Sequence, residues 1–264
     1  MATDPRIFLA SLSWRALETP HVHALWRFMQ STPNVRFVPR TGDALVDRGR
    51  AMLASRFLRE TEDDVLLAVD SDIVFRAEDA REICAQAMTD SIVAGVYITR
   101  SNERPVPAVH FERAQTVEFG TNPTPVPCLY PAGGFVAVHR RVFQAILDRE
   151  ALPLCHASKP WAFYPFYTPF TVPGEDGDTL YLSEDWAFFE RARRAGFPSY
   201  LNPKVRLAHL GSYGYHLEDM VDLANPTPTV PMKITRTTGG GYHSEALIPE
   251  PPPRAVEYGQ VGRA

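Results

Sequence analysis

Cysteine is scarce in this chain of 264 residues: Cys84, Cys128 and Cys155 stand far apart, without a C-x-x-C pair. So small and dispersed a set excludes a disulfide framework and a zinc knuckle, and predicts reduced, partly buried thiols. No apolar run approaches the ~18 residues that would mark a membrane-spanning helix, so no membrane partner is expected. Met1 to Arg6 lacks a basic segment leading into a signal-peptide core, which points to the cytoplasm. Basic charge is not in excess either. Lys and Arg total 27 against 31 Asp and Glu, for a net charge of −4. No global field therefore announces a nucleic-acid or membrane surface, although Arg48, Arg50, Arg56 and Arg59 form a candidate local basic face. The first strand is not followed by G-x-G-x-x-G, and no P-loop lysine occurs, which disfavours dinucleotide binding and NTP hydrolysis. There is no internal repeat.

What the chain does have is a 45% hydrophobic composition, ordinary for a globular domain. Strand-like and helix-like segments alternate through the first hundred residues. Arg6 to Ser11 reads as a strand. Thr19-Pro20 opens a helix with Val22, Leu25, Trp26 and Met29 on one face. Val35 to Val38 is a second strand, and Asp43 to Arg59 a second helix with Leu45, Met52, Leu53 and Phe57 inward. The apolar run Val65 to Val69, ending at Asp70, is a strand buried on both faces. Ala77 to Met88 is a helix with Ala80, Ile83, Cys84 and Ala87 inward, and Ser91 to Ile98 a fourth strand. This alternation predicts an α/β domain with a mostly parallel central sheet flanked by helices.

The second half is less regular. Pro105 to Pro127 reads as a hairpin or loop excursion. Phe135 to Val138 is a strand, leading into a helix over about 140–149. Residues 153–182 form a long aromatic and proline-rich loop. Ser183 caps a helix that ends at Gly196, and short strands follow near Ser199 to Leu201 and Val205 to His209. Residues 1–223 form one domain on this reading, and the Pro/Gly-rich residues 224–264 an extended or partly disordered tail.

Four groups carry chemistry. Asp70-Ser71-Asp72 sets two carboxylates just beyond a buried strand, where an α/β sheet places its ligand crevice. Two such acids repel unless something positive lies between them, and a divalent cation with oxygen preferences suits them. Gly133-Gly134 precedes a strand and lets backbone approach a ligand, or makes a tight turn. Glu184-Asp185-Trp186 opens a helix, where acids also answer the free N–H groups; either could be a general base, with Trp186 as an aromatic wall. His209 ends a strand, as a structural residue or a metal ligand.

In this order the groups resemble the GT-A glycosyltransferases, most of all small glycosyltransferase family 2-like proteins of phages and bacteria. There a helix like Leu45-Val46-Asp47-Arg48-Gly49-Arg50 and a strand like Leu66-Leu67-Ala68-Val69-Asp70-Ser71-Asp72 recur. The resemblance, over roughly residues 5–216, implies a single GT-A (Rossmann-like) domain transferring sugar from a nucleotide-sugar. It makes Asp70, Asp72 and His209 the seat of Mn²⁺ or Mg²⁺, which would hold the diphosphate. Ser11, Arg48, Asp70, Ser71, Gly133 and Gly134 would hold the donor, and Trp186 would border the acceptor. Asp185 would be the base in an inverting reaction, with Glu184 beside it, or would position the donor sugar in a retaining one. A UDP-sugar is the foremost donor, but Ser11-Leu12-Ser13-Trp14 lacks the Asn common after the first strand, which leaves the base open. The acceptor is a glycan, a protein or a hydroxymethylated base in phage DNA. A sugar nucleotidyltransferase and a non-catalytic nucleotide-sugar-binding module are the rival readings.

Overall fold

The computed structural model describes residues 4–100, 106–113, 115–120, 122–174, 177–211, 214–216, 230–236 and 242–246. The elements run β1 (Ile7–Ser13), α1 (Thr19–Ser31), β2 (Val35–Thr41), α2 (Val46–Glu60), β3 (Val65–Asp70), β4 (Ile73–Val74), α3 (Ala77–Asp90) and β5 (Ile92–Ala94). Then come β6 (Val109–His110), β7 (Gln115–Phe119), β8 (Val126–Cys128), β9 (Tyr130–Pro131), β10 (Phe135–His139) and α4 (Arg140–Glu150). Last are β11 (Phe170–Pro173), β12 (Thr179–Leu182), α5 (Glu184–Arg194), β13 (Ser199–Leu201), β14 (Ala208–Leu210), β15 (Gly214–Tyr215), β16 (Val230–Arg236) and β17 (Tyr242–Ala246).

Seven strands form the central sheet in the order β2-β1-β3-β10-β5-β13-β8. The β2–β1, β1–β3 and β5–β13 pairs are parallel, whereas β10 runs against both β3 and β5, and β8 against β13. Strand alternation sends Ile7, Leu9, Val65, Leu67, Val69, Phe135 and Ala137 to one side of the sheet, against Leu25 and Phe28 of α1 and Ile83 and Cys84 of α3. Phe8, Leu66, Val136 and Val138 face the other side, against Phe57 of α2, Phe143 of α4 and Phe188 of α5. Each side thus has its own apolar core, which is why the strands read as continuous apolar runs.

Several elements depart from the sequence reading. The buried face of α1 is His21, Ala24, Leu25 and Phe28, while Trp26 is 61% exposed and Val22 40%. Its phase is set by His21, which turns inward to hydrogen-bond Ser11 and Ile73. Helix α2 starts at Val46 rather than Asp43, because the Asp43 carboxylate is taken up by Arg40, Arg48 and the Leu45 N–H; Leu45 is exposed. The fourth strand is only three residues long. The long loop holds a β11–β12 hairpin, and two segments of the predicted tail, β16 and β17, pair with each other and with β7. The three cysteines are free thiols, with Cys84 buried, as expected. Among the described residues, no helix is long and apolar enough to cross a membrane.

Candidate functional site

Strand β3, in the middle of the sheet, ends at Asp70, and the chain turns through Ser71 and Asp72 into β4. There β14 pairs antiparallel with β4, aligning His209 with Ile73, and Leu210 N–H donates to the Asp72 carbonyl at 2.7 Å. This register brings together acids and a histidine separated by more than a hundred residues of chain. His209 Nε2 lies 3.5 Å from Asp72 Oδ2, and Arg100 Nη1 lies 2.9 Å from the same oxygen. Burial works to raise the Asp72 carboxyl, but the hydrogen bond and charge from His209, with Arg100, outweigh it and hold it below the usual value.

The tautomer of His209 follows from its other nitrogen. Nδ1 sits 2.7 Å from the Ile98 carbonyl, an acceptor, so Nδ1 carries the proton. Nε2 therefore faces the Asp72 carboxylate either with a second proton, donating the hydrogen bond that lowers that carboxyl, or with a lone pair that a cation between the two would take up. Tyr97 packs edge-on to the imidazole with ring centres 4.9 Å apart. Among the described residues, no three or more His, Cys, Asp or Glu side chains cluster to hold a metal ion. One carboxylate and one imidazole nonetheless fit a divalent cation that takes its remaining ligands from water and phosphate oxygens.

Asp70 is engaged elsewhere. Arg50 Nη2 donates to both of its oxygens at 2.9 Å, and Nη1 donates to the Gly133 carbonyl at 2.6 Å. Burial raises the Asp70 carboxyl, with the Arg50 charge opposing. Arg50 itself is buried, and its Nε has no hydrogen-bond partner. The glycines are explained by the same packing. A Cβ on Gly133 would fall 2.8 Å from Arg50 Nη1, and one on Gly134 would fall 2.6 Å from the Tyr97 hydroxyl. Gly134 N–H donates to that hydroxyl at 3.2 Å, and its carbonyl accepts from Asp70 N–H at 2.9 Å.

Asp185 closes the group from the start of α5. One oxygen accepts from Ser183 Oγ at 2.7 Å and Trp186 N–H at 2.8 Å, the other from Gly133 N–H at 3.2 Å. Burial, and then the Asp185 charge, push the Glu184 carboxyl up.

Asp70, Asp72, His209, Gly133, Gly134, Glu184 and Asp185 are thus gathered at one end of the sheet. Three other residues are placed differently. Ser11 is fully buried and hydrogen-bonds His21 Nε2 at 3.0 Å, while His21 Nδ1 donates to Ile73 O at 2.7 Å. It underpins β4 rather than facing a crevice; Trp14, 54% exposed, is the open side chain beyond β1. Arg48 pairs with Asp43 at 2.7 Å, and Arg50 reaches the acids in its stead. The Trp186 ring packs against His110 and Tyr130, at 4.7 and 5.5 Å between centres, rather than standing as an open wall. Tyr97 and Arg100 are additions the sequence did not mark, while Arg50 was marked only as part of a basic helix face, with no sign that it would reach Asp70 and Gly133.

The fold is that of a mixed α/β domain whose central seven-stranded sheet gathers these groups at one end. No family model matches the chain, and no curated protein matches it at a significant level. Among solved structures, it is similar to A197 from STIV, at 14% identity and a TM-score of 0.50, over 90% of this chain and 92% of that one. Looser likenesses are GalNAc-T7, crystallised with UDP, GalNAc and Mn²⁺ (11% identity, TM-score 0.49), and S. aureus TarS 1-349 with UDP-GlcNAc (14%, 0.39). This chain spans 45% and 57% of those two chains. At such identity the likeness is one of fold.

Proposed function

We propose that the protein is a metal-dependent glycosyltransferase that moves a sugar from a nucleotide-diphosphate sugar, foremost a UDP-sugar, to an acceptor hydroxyl. The observation that carries this reading is the turn of His209 Nε2 toward Asp72 Oδ2 at 3.5 Å, imposed by the β4–β14 register and the Ile98 carbonyl. Asp72 and His209 would hold Mn²⁺ or Mg²⁺. When bound, the cation would supply Lewis-acid neutralisation of the leaving diphosphate. Asp70, fixed by Arg50, offers oxygens to the donor's ribose, and Ser71 lies beside it in the turn. Gly133 and Gly134 keep the backbone low where the donor sugar would lie. Asp185, with both oxygens hydrogen-bonded, orients this floor. Glu184, with its raised carboxyl, is then the better acceptor of the proton from the incoming hydroxyl in an inverting reaction, an assignment that moves the base one residue from Asp185. Hydroxymethylated DNA, a glycan or a protein could supply that hydroxyl.

A thermal-shift panel of UDP-, GDP-, CDP- and dTDP-sugars with Mn²⁺ tests this, since a ligand raises stability by RT ln(1 + [L]/Kd). One donor is expected to stand out, with its shift lost without Mn²⁺ and in Asp72→Ala while the unliganded melting point holds. A flat response to every donor with metal sinks the transferase reading. A donor that shifts the protein but releases no nucleoside diphosphate with any acceptor favours a binding module.

A further inference from the structure

A groove runs along the outer face of α2. Arg48, Met52, Arg56 and Glu60 recur at i, i+4, i+8 and i+12 and so form one stripe on the helix. Opposite stands the loop 153–168, held to α2 by Tyr164 N–H donating to Ser55 Oγ at 2.8 Å and Arg59 donating to Ala162 O at 3.0 Å. Two adjoining cavities of about 430 and 420 Å³ lie between them and share Arg40, Met52 and Trp161. Trp161 is 50% exposed.

The charges are arranged for an anion. Arg40 and Arg48 each direct Nε and Nη2 at the single buried carboxylate of Asp43. One negative charge thus positions two guanidiniums, leaving a net positive charge and further N–H donors along the cavity that Arg40 and Arg48 line with His156 and Phe163. The second cavity has Arg56, paired at 2.9 Å with exposed Glu60. Arg48 and Arg56 are about 12 Å apart along the helix axis, with Trp161 bordering both cavities. Arginine pair, aromatic face, arginine is the order that phosphate, base, phosphate would match once a phosphate displaces the exposed Glu60 carboxylate from Arg56, and a basic groove with aromatic platforms is how single strands are bound without duplex shape.

We propose that this groove binds single-stranded nucleic acid, with a base stacked on Trp161 and flanking phosphates on Arg40/Arg48 and Arg56. The groove starts at the N-terminal end of α2, beside the last residues of β2, which pair with the end of β1 and through it adjoin Asp70. A strand lying in it leads to the candidate site. Its service as the acceptor's seat rests on the transferase reading; its binding chemistry does not.

The test is fluorescence anisotropy of a short labelled oligo-dT with the full chain, across a salt series. Binding is expected, with a log–log salt slope of about −2 for three arginine contacts. Trp161→Ala should weaken it about tenfold, as loss of one stacked base would. Trp161→Phe should restore most of it, and Arg40→Gln should flatten the slope. The melting point should hold in Trp161→Ala, whose ring is half exposed. Arg40→Gln removes one partner of the buried Asp43 carboxylate and is expected to lower it modestly, so that variant is read by its salt slope well below the melting temperature. Absence of binding, indifference to Trp161→Ala, or equal displacement by duplex DNA or by a ring-free polyphosphate overturns the proposal. The donor panel with Mn²⁺ is read on the same proteins. Donor shifts without oligonucleotide binding remove the groove and keep the transferase; oligonucleotide binding without donor shifts does the reverse.

Discussion

Gly134 is the tightest point of the site. Its missing Cβ leaves room for the Tyr97 hydroxyl 2.6 Å away, part of a rigid ring that also packs on His209. Gly134→Ala must displace that ring, an overpacking cost of about 1–3 kcal/mol, read as a lower midpoint in chemical denaturation. Arg100 offers a second check. In the proposed metal site it would compete with the cation for Asp72 Oδ2, so on that reading Arg100→Gln raises Mn²⁺ affinity several-fold, measured by titration of the free protein. Asp43 sets a pH dependence. Arg48, above all, lowers its carboxyl to about 2 from 3.8, against the opposing effect of burial. A carboxyl lowered on folding stabilises above its unfolded value, so this contribution is whole above about pH 4 and lost as pH falls toward 2. It is on the order of 2 kcal/mol, and Asp43→Asn should show a shallower fall of melting temperature across that interval. That Asp70, Asp72 and His209 would lie at one end of the sheet was legible because Asp70 closes the apolar run Val65 to Val69, Asp72 follows in the next turn and His209 comes at the close of a later strand segment. The inward turn of Ser11 and Trp186 was not legible, because whether a side chain at a strand end or helix start turns inward depends on partners outside its own element, His21 and Tyr130.

At the scale of elements, short-range pattern located the helices and gave the phase of α3 but not that of α1. In α3 the apolar residues Ala80, Ile83, Cys84 and Ala87 are buried as their periodicity predicts, and the one buried acid, Asp79, is satisfied by Arg76 without turning the helix. In α1 a hydrogen-bonded histidine overrode the apolar stripe. The end of α2 shows a further long-range dependence. Arg140, at the start of α4, donates to the carbonyls of Phe57, Leu58, Thr61 and Asp63 and lies 4.4 Å over the Phe57 ring. It thereby satisfies carbonyls left free at the end of α2. Arg140→Ala should cost about 3 kcal/mol, since charge-assisted hydrogen bonds are lost together with partners left buried, and hydrogen exchange should quicken in the last turn of α2 before elsewhere.

For the whole molecule, alternation of strand and helix predicted the α/β class, but not the sheet order. The parallel segments come in sequence, yet β10 enters from forty residues downstream of β5 and lies between β3 and β5. Periodicity reports which faces are buried and is silent on which strand is the neighbour. The same limit hid the pairing of β16 with β7. Removing the segment from residue 224 onward should bare the β7 edge and lower solubility, measured as aggregation onset in light scattering against the full chain.

The place of β10 also bears on synthesis. A chain emerging from the ribosome offers β1, β2, β3 and β5 first, but β3 has no partner on its β10 side until His139 has been made. Through that interval Leu66, Leu67 and Val69 border an open edge, and no amino-terminal fragment ending short of β10 can seal it. Co-translational folding of this protein therefore waits on a strand from the middle of its message, and its early intermediates are the ones a chaperone would have to shield.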